Sequence, residues 1–205
     1  PFHPMLLAMS GVSGSGKSTL AARLVGELQA VRLRSDFERK RLAGLRPIDR
    51  PADALAEATI YGDAMTRRVY AGLAERAAML LDAETSVIID AACTRRWQRD
   101  LVVAVARNRG VSLTWLELDL PEDMVLARVA ARQAAGGDAS DASPDVVRRQ
   151  WAEREPITTE ELSAAGGIVR RLRLGEADRQ DPKLFERIRQ VACEPPGMHQ
   201  EGLPR

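Results

Sequence analysis

Nine consecutive residues, Gly11-Val12-Ser13-Gly14-Ser15-Gly16-Lys17-Ser18-Thr19, have the types and spacing needed to hold a triphosphate. Gly11 and Gly16 bracket four residues, and Lys17 and Ser18 follow at once. A chain that leaves a strand and wraps its N–H groups around an anion needs backbone angles that glycine tolerates, at Gly14 and Gly16. The helix opening near Lys17 aims unpaired N–H groups and a partial positive charge at the same anion. Lys17 is expected to reach the β- and γ-phosphates of ATP and the Ser18 hydroxyl to ligate Mg²⁺, with Ser13, Gly14, Ser15, Gly16 and Thr19 completing the cradle. A flexible Gly/Ser linker has no reason to place a lysine there, one of only three in the chain (Lys17, Lys40, Lys183).

Other charged residues follow predicted strands and extend this chemistry. Asp90 ends the run Ser86-Val87-Ile88-Ile89-Asp90, where a carboxylate holds Mg²⁺ directly or through water. Ala91 and Ala92 follow it, so the adjacent carboxylate that activates water in motor-type ATPases is missing. The alternative role for Asp90, capping the next helix, fits Thr94 better. Asp36 lies in the first turn after the second strand, a fixed mount for a base that takes the proton of an acceptor hydroxyl. Ser35-x-x-Glu38 reads as a capping box, which leaves Asp36 to face the site. Arg39 is placed beside the acceptor. Arg128 and Arg132 share one helix face and are expected to close over the triphosphate as a lid, with Arg148 and Arg149 as weaker candidates. Arg95, Arg96 and Arg99 follow the third strand, where a minority of them, Arg95 first, would bind an anionic acceptor.

The elements that must carry these residues alternate. Strands are predicted at Met5 to Ser10, Val31 to Arg34, Ser86 to Asp90, Leu113 to Leu120 and Ile168 to Leu174. Helices fill the intervals: Ser18 to Gln29, a short one opening at Ser35, a long stretch from Asp53 to Leu81 mildly interrupted by Gly62 and Gly72, Thr94 to Arg109 ending at Gly110, Pro121 to Arg132, Asp145 to Glu155 and Asp181 to Ala192. Ala134 to Pro144 reads as a loop. The predicted architecture is an α/β three-layer sandwich around a five-stranded parallel sheet, with the ligand at the carboxyl ends of the strands.

Length and composition narrow the function. The 205 residues accommodate one domain, expected over 1–193 with a lid at about 122–155 and a disordered tail at 194–205. A net charge of +1 gives no global attraction to nucleic acid or to membranes, and the apolar N-terminal run is too short to span a bilayer. Two cysteines, Cys93 and Cys193, make no disulfide framework, so a cytoplasmic setting is expected. The start at Pro1 points to trimming or excision from a longer polypeptide.

The segments GVSGSGKSTLA, RSDFERKRLAGL, SVIIDAACTRR and LDLPEDMVLARVAARQ followed by GGDASDAS together resemble the P-loop kinases of the polynucleotide-kinase and zeta-toxin type. Especially similar are predicted bacterial kinases that occur alone or fused behind an aminoglycoside-phosphotransferase-like domain. The resemblance spans roughly residues 5 to 175. It implies a nucleoside-monophosphate-kinase-like P-loop fold with a helical lid. It also implies Lys17 and Ser18 as phosphate and metal residues, Asp36 as proton acceptor, Arg39 as substrate contact, Arg128 and Arg132 as lid group, and a neighbouring domain as partner. Where many relatives carry a bulky residue, this chain has Ala92-Cys93. Family acceptors range from nucleic-acid ends to sugars and antibiotics. The expected function is ATP-dependent transfer of phosphate to a small-molecule hydroxyl. A polynucleotide 5′-end kinase is the first alternative, since such an enzyme contacts only one or two nucleotides, and an ATP-binding regulatory module is the second.

Overall fold

The structure, a computed structural model, describes residues 3–49, 51–135 and 144–193, without the side chains of residues 54, 132–135 and 179. Five strands form one sheet: β1 (Leu6–Ser10), β2 (Val31–Arg34), β3 (Val87–Asp90), β4 (Leu113–Leu118) and β5 (Val169–Leu174). The order is β2-β3-β1-β4-β5 and every pairing is parallel. The helices are α1 (Lys17–Leu28), α2 (Ser35–Leu42), α3 (Ala54–Ile60), α4 (Asp63–Asp82), α5 (Arg96–Arg109), α6 (Glu122–Ala135), α7 (Pro144–Ala152), α8 (Thr159–Ala164) and α9 (Leu184–Cys193).

Strands of a parallel sheet are covered on both faces, which is why β1 and β3 are apolar up to their last residues, Ser10 and Asp90, with every residue buried. Alternation divides them. Leu6 and Ala8 join Ile89 and Trp115 under α4 and α5, while Leu7 and Met9 join Ile88 and Leu116 under α1 and α9. A third, smaller cluster of Val12, Leu120, Val125, Val129 and Val147 ties α6 and α7 to the loop after β1. Because β1 and β2 flank β3, with Arg34 in register with Asp90, the loop after β1, Asp90 and the start of α2 emerge side by side at one sheet edge.

Several local expectations change. The long stretch from Asp53 is two helices parted at Tyr61–Gly62; Asp53 caps the first by accepting a hydrogen bond from Ala56 N at 2.8 Å. Gly72 continues α4 without a break, and a Cβ there would stand 2.5 Å from Glu38 Oε1, so its missing side chain lets α2 lie against α4. The capping box does not form. Ser35 is already inside α2, and the Glu38 carboxylate is taken by Arg41 at 2.8 Å and Arg76 at 3.3 Å. Thr94 is likewise not a cap, since α5 begins beyond Arg95, whose N–H donates to Gln98 Oε1 at 3.0 Å. β4 stops at Leu118 and α6 runs on to Ala135. Helix α8, not foreseen, is capped by Thr158, which accepts from Glu161 N at 3.2 Å. The expected tail from 194 and the loop residues 136–143 lie outside the described residues.

Candidate active site

The loop between β1 and α1 has the shape its sequence calls for. Gly14 and Gly16 adopt φ of 85° and 92°, and a Cβ on Gly14 would stand 2.5 Å from Val129 Cγ2, because α6 packs directly on the loop. Gly11 N donates to Ala92 O at 2.9 Å, fastening the loop to the segment after β3. Lys17 Nζ donates to Val12 O at 2.7 Å, so the ammonium folds over its own loop. Ser18 Oγ donates to Asp90 Oδ2 at 2.9 Å, joining the two residues expected to serve one metal ion.

This loop forms one wall of a cleft of about 610 Å³. Of the expected site residues, Ser13, Gly14, Gly16, Lys17, Ser18, Thr19, Asp36, Arg39, Asp90, Arg95 and Arg128 all line it. Ser15 does not; it is buried beneath the loop. The Arg132 side chain lies outside the described residues.

Asp36 is half-buried and makes no ion pair or hydrogen bond through its carboxylate among the described residues. Burial pushes its carboxyl above the ordinary range, and the Asp90 charge pushes the same way, against the pull of Arg34, Lys17 and Arg39. Arg39 is held in place: its Nη1 donates to Ile60 O at 2.7 Å and Thr66 Oγ1 at 3.2 Å, and its guanidinium stands 5.2 Å from the Tyr61 ring centre. It joins α2 to the break between α3 and α4 while presenting one side to the cleft.

The remaining arginines separate by environment. Arg128 lines the cleft and donates to Glu176 Oε2 at 2.7 Å. Arg149 also lines it, whereas Arg148 is exposed and paired with Asp145. Arg95 lines the cleft in an ion pair with Glu153. Arg96 is a surface residue near Asp100. Arg99 is no ligand residue at all. It is 1% exposed, grips Glu161 through Nε at 2.6 Å and Nη2 at 2.8 Å, and donates to Cys93 O and Glu155 O.

Below Arg99's contact the β3 loop is pinned. Cys93 sits at φ 45°, unusual for a residue with a side chain, and its N–H donates to Tyr70 Oη at 3.0 Å while its carbonyl accepts from Ser10 Oγ and Arg99. Burial raises its thiol to about 12, so Cys93 is a neutral packing group.

Sequence reasoning missed several residues in or beside the cleft. Arg32 and Arg34, two apart on β2, both reach Asp90, at 2.5 Å and 3.7 Å; their period of two on a strand next to Asp90 was the available signal. Gln150 of α7 accepts from Ser13 N at 2.7 Å, and Glu153 faces Arg95; neither carries a sequence signal. Trp97 packs edge-on against Tyr70 with ring centres 5.4 Å apart.

The fold recurs in solved structures. A sugar kinase from Janibacter sp. HTCC2649, unliganded, superposes with a TM-score of 0.65 at 24% identity, over 94% of this chain and 96% of the other. A gluconokinase from Sinorhizobium meliloti 1021 gives 0.59 at 17% identity, over 94% and 95%. The Mycobacterium tuberculosis APS kinase in complex with AMPPNP and APS gives 0.56 at 18% identity, over 93% and 96%. No curated protein matches the sequence. The α/β architecture is therefore shared with these solved structures. A family model described as AAA domain, AAA_33, matches residues 6–157 and takes in β1, the phosphate loop, Asp36, Asp90, α6 and α7, and the chain belongs to that family.

Proposed function

We propose that the protein is an ATP-dependent phosphotransferase that moves the γ-phosphoryl group to a hydroxyl of a small-molecule acceptor, a sugar, metabolite or antibiotic. The observation that carries this reading is Asp36: a carboxylate with no ion pair of its own, in the same cleft as Lys17, Ser18 and Asp90. An enzyme that only hydrolysed ATP would need a residue to position water beside Asp90, and Ala91 and Ala92 stand there instead. The kinases among the structural relatives, one of them bound to AMPPNP, support the reaction class.

In this reading Asp36 accepts the proton of the acceptor hydroxyl as its oxygen attacks the γ-phosphorus, and ADP departs. Lys17 turns from Val12 O to the phosphate oxygens. Arg128, with Arg132 and Arg149, neutralises charge as phosphate moves, making α6 and α7 the lid. Arg39 orients the acceptor. A Mg²⁺ ion fits here on the chemistry of the donors. Among the described residues no group of three or more acidic, His or Cys side chains could cage a cation, whereas Ser18 and Asp90 lie together, the sparse protein shell of an ion that also binds phosphate and water. Such an ion, held by Ser18 and Asp90, would withdraw charge from the phosphates.

A screen with labelled ATP against sugars, aminoglycosides and a 5′-hydroxyl oligonucleotide tests the reading. Label is expected on a small molecule; label on the oligonucleotide alone replaces it with an end kinase. No label anywhere, with ATP still bound, replaces it with a regulatory module.

A further inference from the structure

The two residues suited to a metal ion are themselves held by an arginine. Asp90 ends β3 with its side chain 3% exposed, and its Oδ2 accepts from Arg32 Nε at 3.1 Å, from Arg32 Nη2 at 2.5 Å and from Ser18 Oγ at 2.9 Å. Arg32 lies on β2, two residues before Arg34, which pairs in register with Asp90. Arg34 adds a second charge at longer range: its Nε is 3.7 Å from the same oxygen, and its guanidinium stands 4.1 Å from the Phe37 ring centre. Arg32 does not line the cleft, so its contact with the site is through Asp90.

A carboxylate oxygen that accepts two bonds from one guanidinium has its charge compensated, and a metal ion must displace that cation or share the oxygen with it. The other charges nearby do not favour a lone cation either. Lys17, Arg34 and Arg39 act on Asp36 beside it, so cations outnumber carboxylates where Ser18 meets Asp90. A nucleotide reverses that sign, because a triphosphate on residues 11–19 adds negative charge and phosphate oxygens next to the pair.

We propose that Arg32 is a positioning residue that neutralises Asp90 and keeps Ser18 and Asp90 closed to divalent cations until a nucleotide is bound. The assignment rests on the nucleotide site of the phosphotransferase reading, and its test measures binding, not turnover. Mn²⁺, which takes oxygen ligands as Mg²⁺ does, is titrated into the nucleotide-free whole chain and followed by electron paramagnetic resonance. Wild type is expected to bind no tighter than the millimolar range. Arg32→Gln is expected to bind at least about tenfold more tightly than wild type, and to lose that gain when combined with Asp90→Asn. Arg32→Lys keeps the charge and is expected to stay near wild type, whereas a merely structural role for Arg32 would make the Lys and Gln variants alike. Calorimetry with Mn·AMPPNP should show a smaller change between wild type and Arg32→Gln than free Mn²⁺ does. Micromolar binding of free Mn²⁺ by wild type overturns the proposal without any variant. Unchanged or weaker binding in Arg32→Gln, a gain that survives Asp90→Asn, an equal gain in Arg32→Lys, or equal factors for Mn²⁺ and Mn·AMPPNP overturn it too. Transfer is assayed separately: its absence, with these binding results intact, strikes the kinase reading and leaves the role of Arg32 standing.

Discussion

The two halves of the cleft are built in different ways. The nucleotide half is one continuous segment, residues 11–19, whose backbone does the work, backed by Asp90 from the neighbouring strand. The acceptor half is collected from α2, the break between α3 and α4, the loop after β3, α5 and α7, and acts through side chains alone. A loop of amides can be specified by a local string of residues, since glycine positions fix its path. A set of side chains from five places depends on the elements beneath them staying in register. The first half is expected to tolerate distant changes, and the second to fail with its supports.

The largest effect tests whether the halves are chemically separate. Asp36→Asn is expected to reduce turnover by about 10² to 10⁴ while ATP affinity, measured by calorimetry, is retained. Because burial raises the Asp36 carboxyl, wild-type kcat/KM should climb with pH through a limb above the ordinary carboxylate range, and the variant should lack that limb. The stability effect has the opposite sense. A carboxyl raised in the folded state contributes most at pH below its unfolded value and loses that contribution as pH rises through the folded one. At neutral pH Asp36→Asn should therefore melt higher than wild type, with the gap closing in acid. A variant that loses ATP binding together with turnover would mean that the halves are one unit.

Next comes the buried support of the acceptor half. Arg99 and Glu161, 1% and 5% exposed at their side chains, hold the loop after β3 against the chain that follows α7. Arg99→Met leaves the buried Glu161 charge only the half-exposed Arg96 at 4.0 Å and should cost about 3–5 kcal/mol in denaturant unfolding, most of it recovered in the double variant with Glu161→Leu. In the double variant acceptor KM is expected to rise more than the nucleotide Kd. An equal loss of both would show that the β3 loop, bonded through Ala92 O to Gly11, transmits to both halves.

The same contrast explains what could be read before the fold was known. The phosphate loop, the parallel sheet and the place of Asp36 on the cleft wall were legible because each is signalled within a few residues: glycine spacing, apolar runs, and an acid just past a strand. Glu38 was misread as a cap, since its partners Arg41 and Arg76 and the gap over Gly72 arise only when α2 meets α4. Arg95, Arg96 and Arg99 were indistinguishable as letters. Turning along α5 sends Arg95 to the cleft, Arg96 to the surface and Arg99 inward to Glu161, a partner 62 residues away.

A glycine in each half gives a sharper pair. Gly14→Ala meets Val129 at 2.5 Å in a backbone conformation that disfavours any Cβ, and should cost about 1–3 kcal/mol of stability with a measurable loss of nucleotide affinity. Gly72→Ala meets only the movable end of Glu38 and gains helix propensity, so thermal unfolding should change by less than about 1 kcal/mol. A Gly72→Ala variant as damaged as Gly14→Ala would show that Glu38 cannot be moved without displacing α2 and Asp36.

The smallest effect concerns the hydrogen bond by which α7 reaches across to the phosphate loop. Gln150 Oε1 accepts from Ser13 N at 2.7 Å, the place of an anion's oxygen in such a cradle. A nucleotide that uses this amide must first displace the glutamine, so removing it should help binding. One hydrogen bond is worth about 1 kcal/mol net, which converts to about a fivefold tighter Kd for ATP in Gln150→Ala. ADP, if it leaves that amide to Gln150, should gain less, and the difference between the two nucleotides in the variant reports which phosphate the Ser13 amide serves. Weaker ATP binding in Gln150→Ala would reverse the assignment, making Gln150 a ligand that swings onto the phosphate and α7 a part of the nucleotide half.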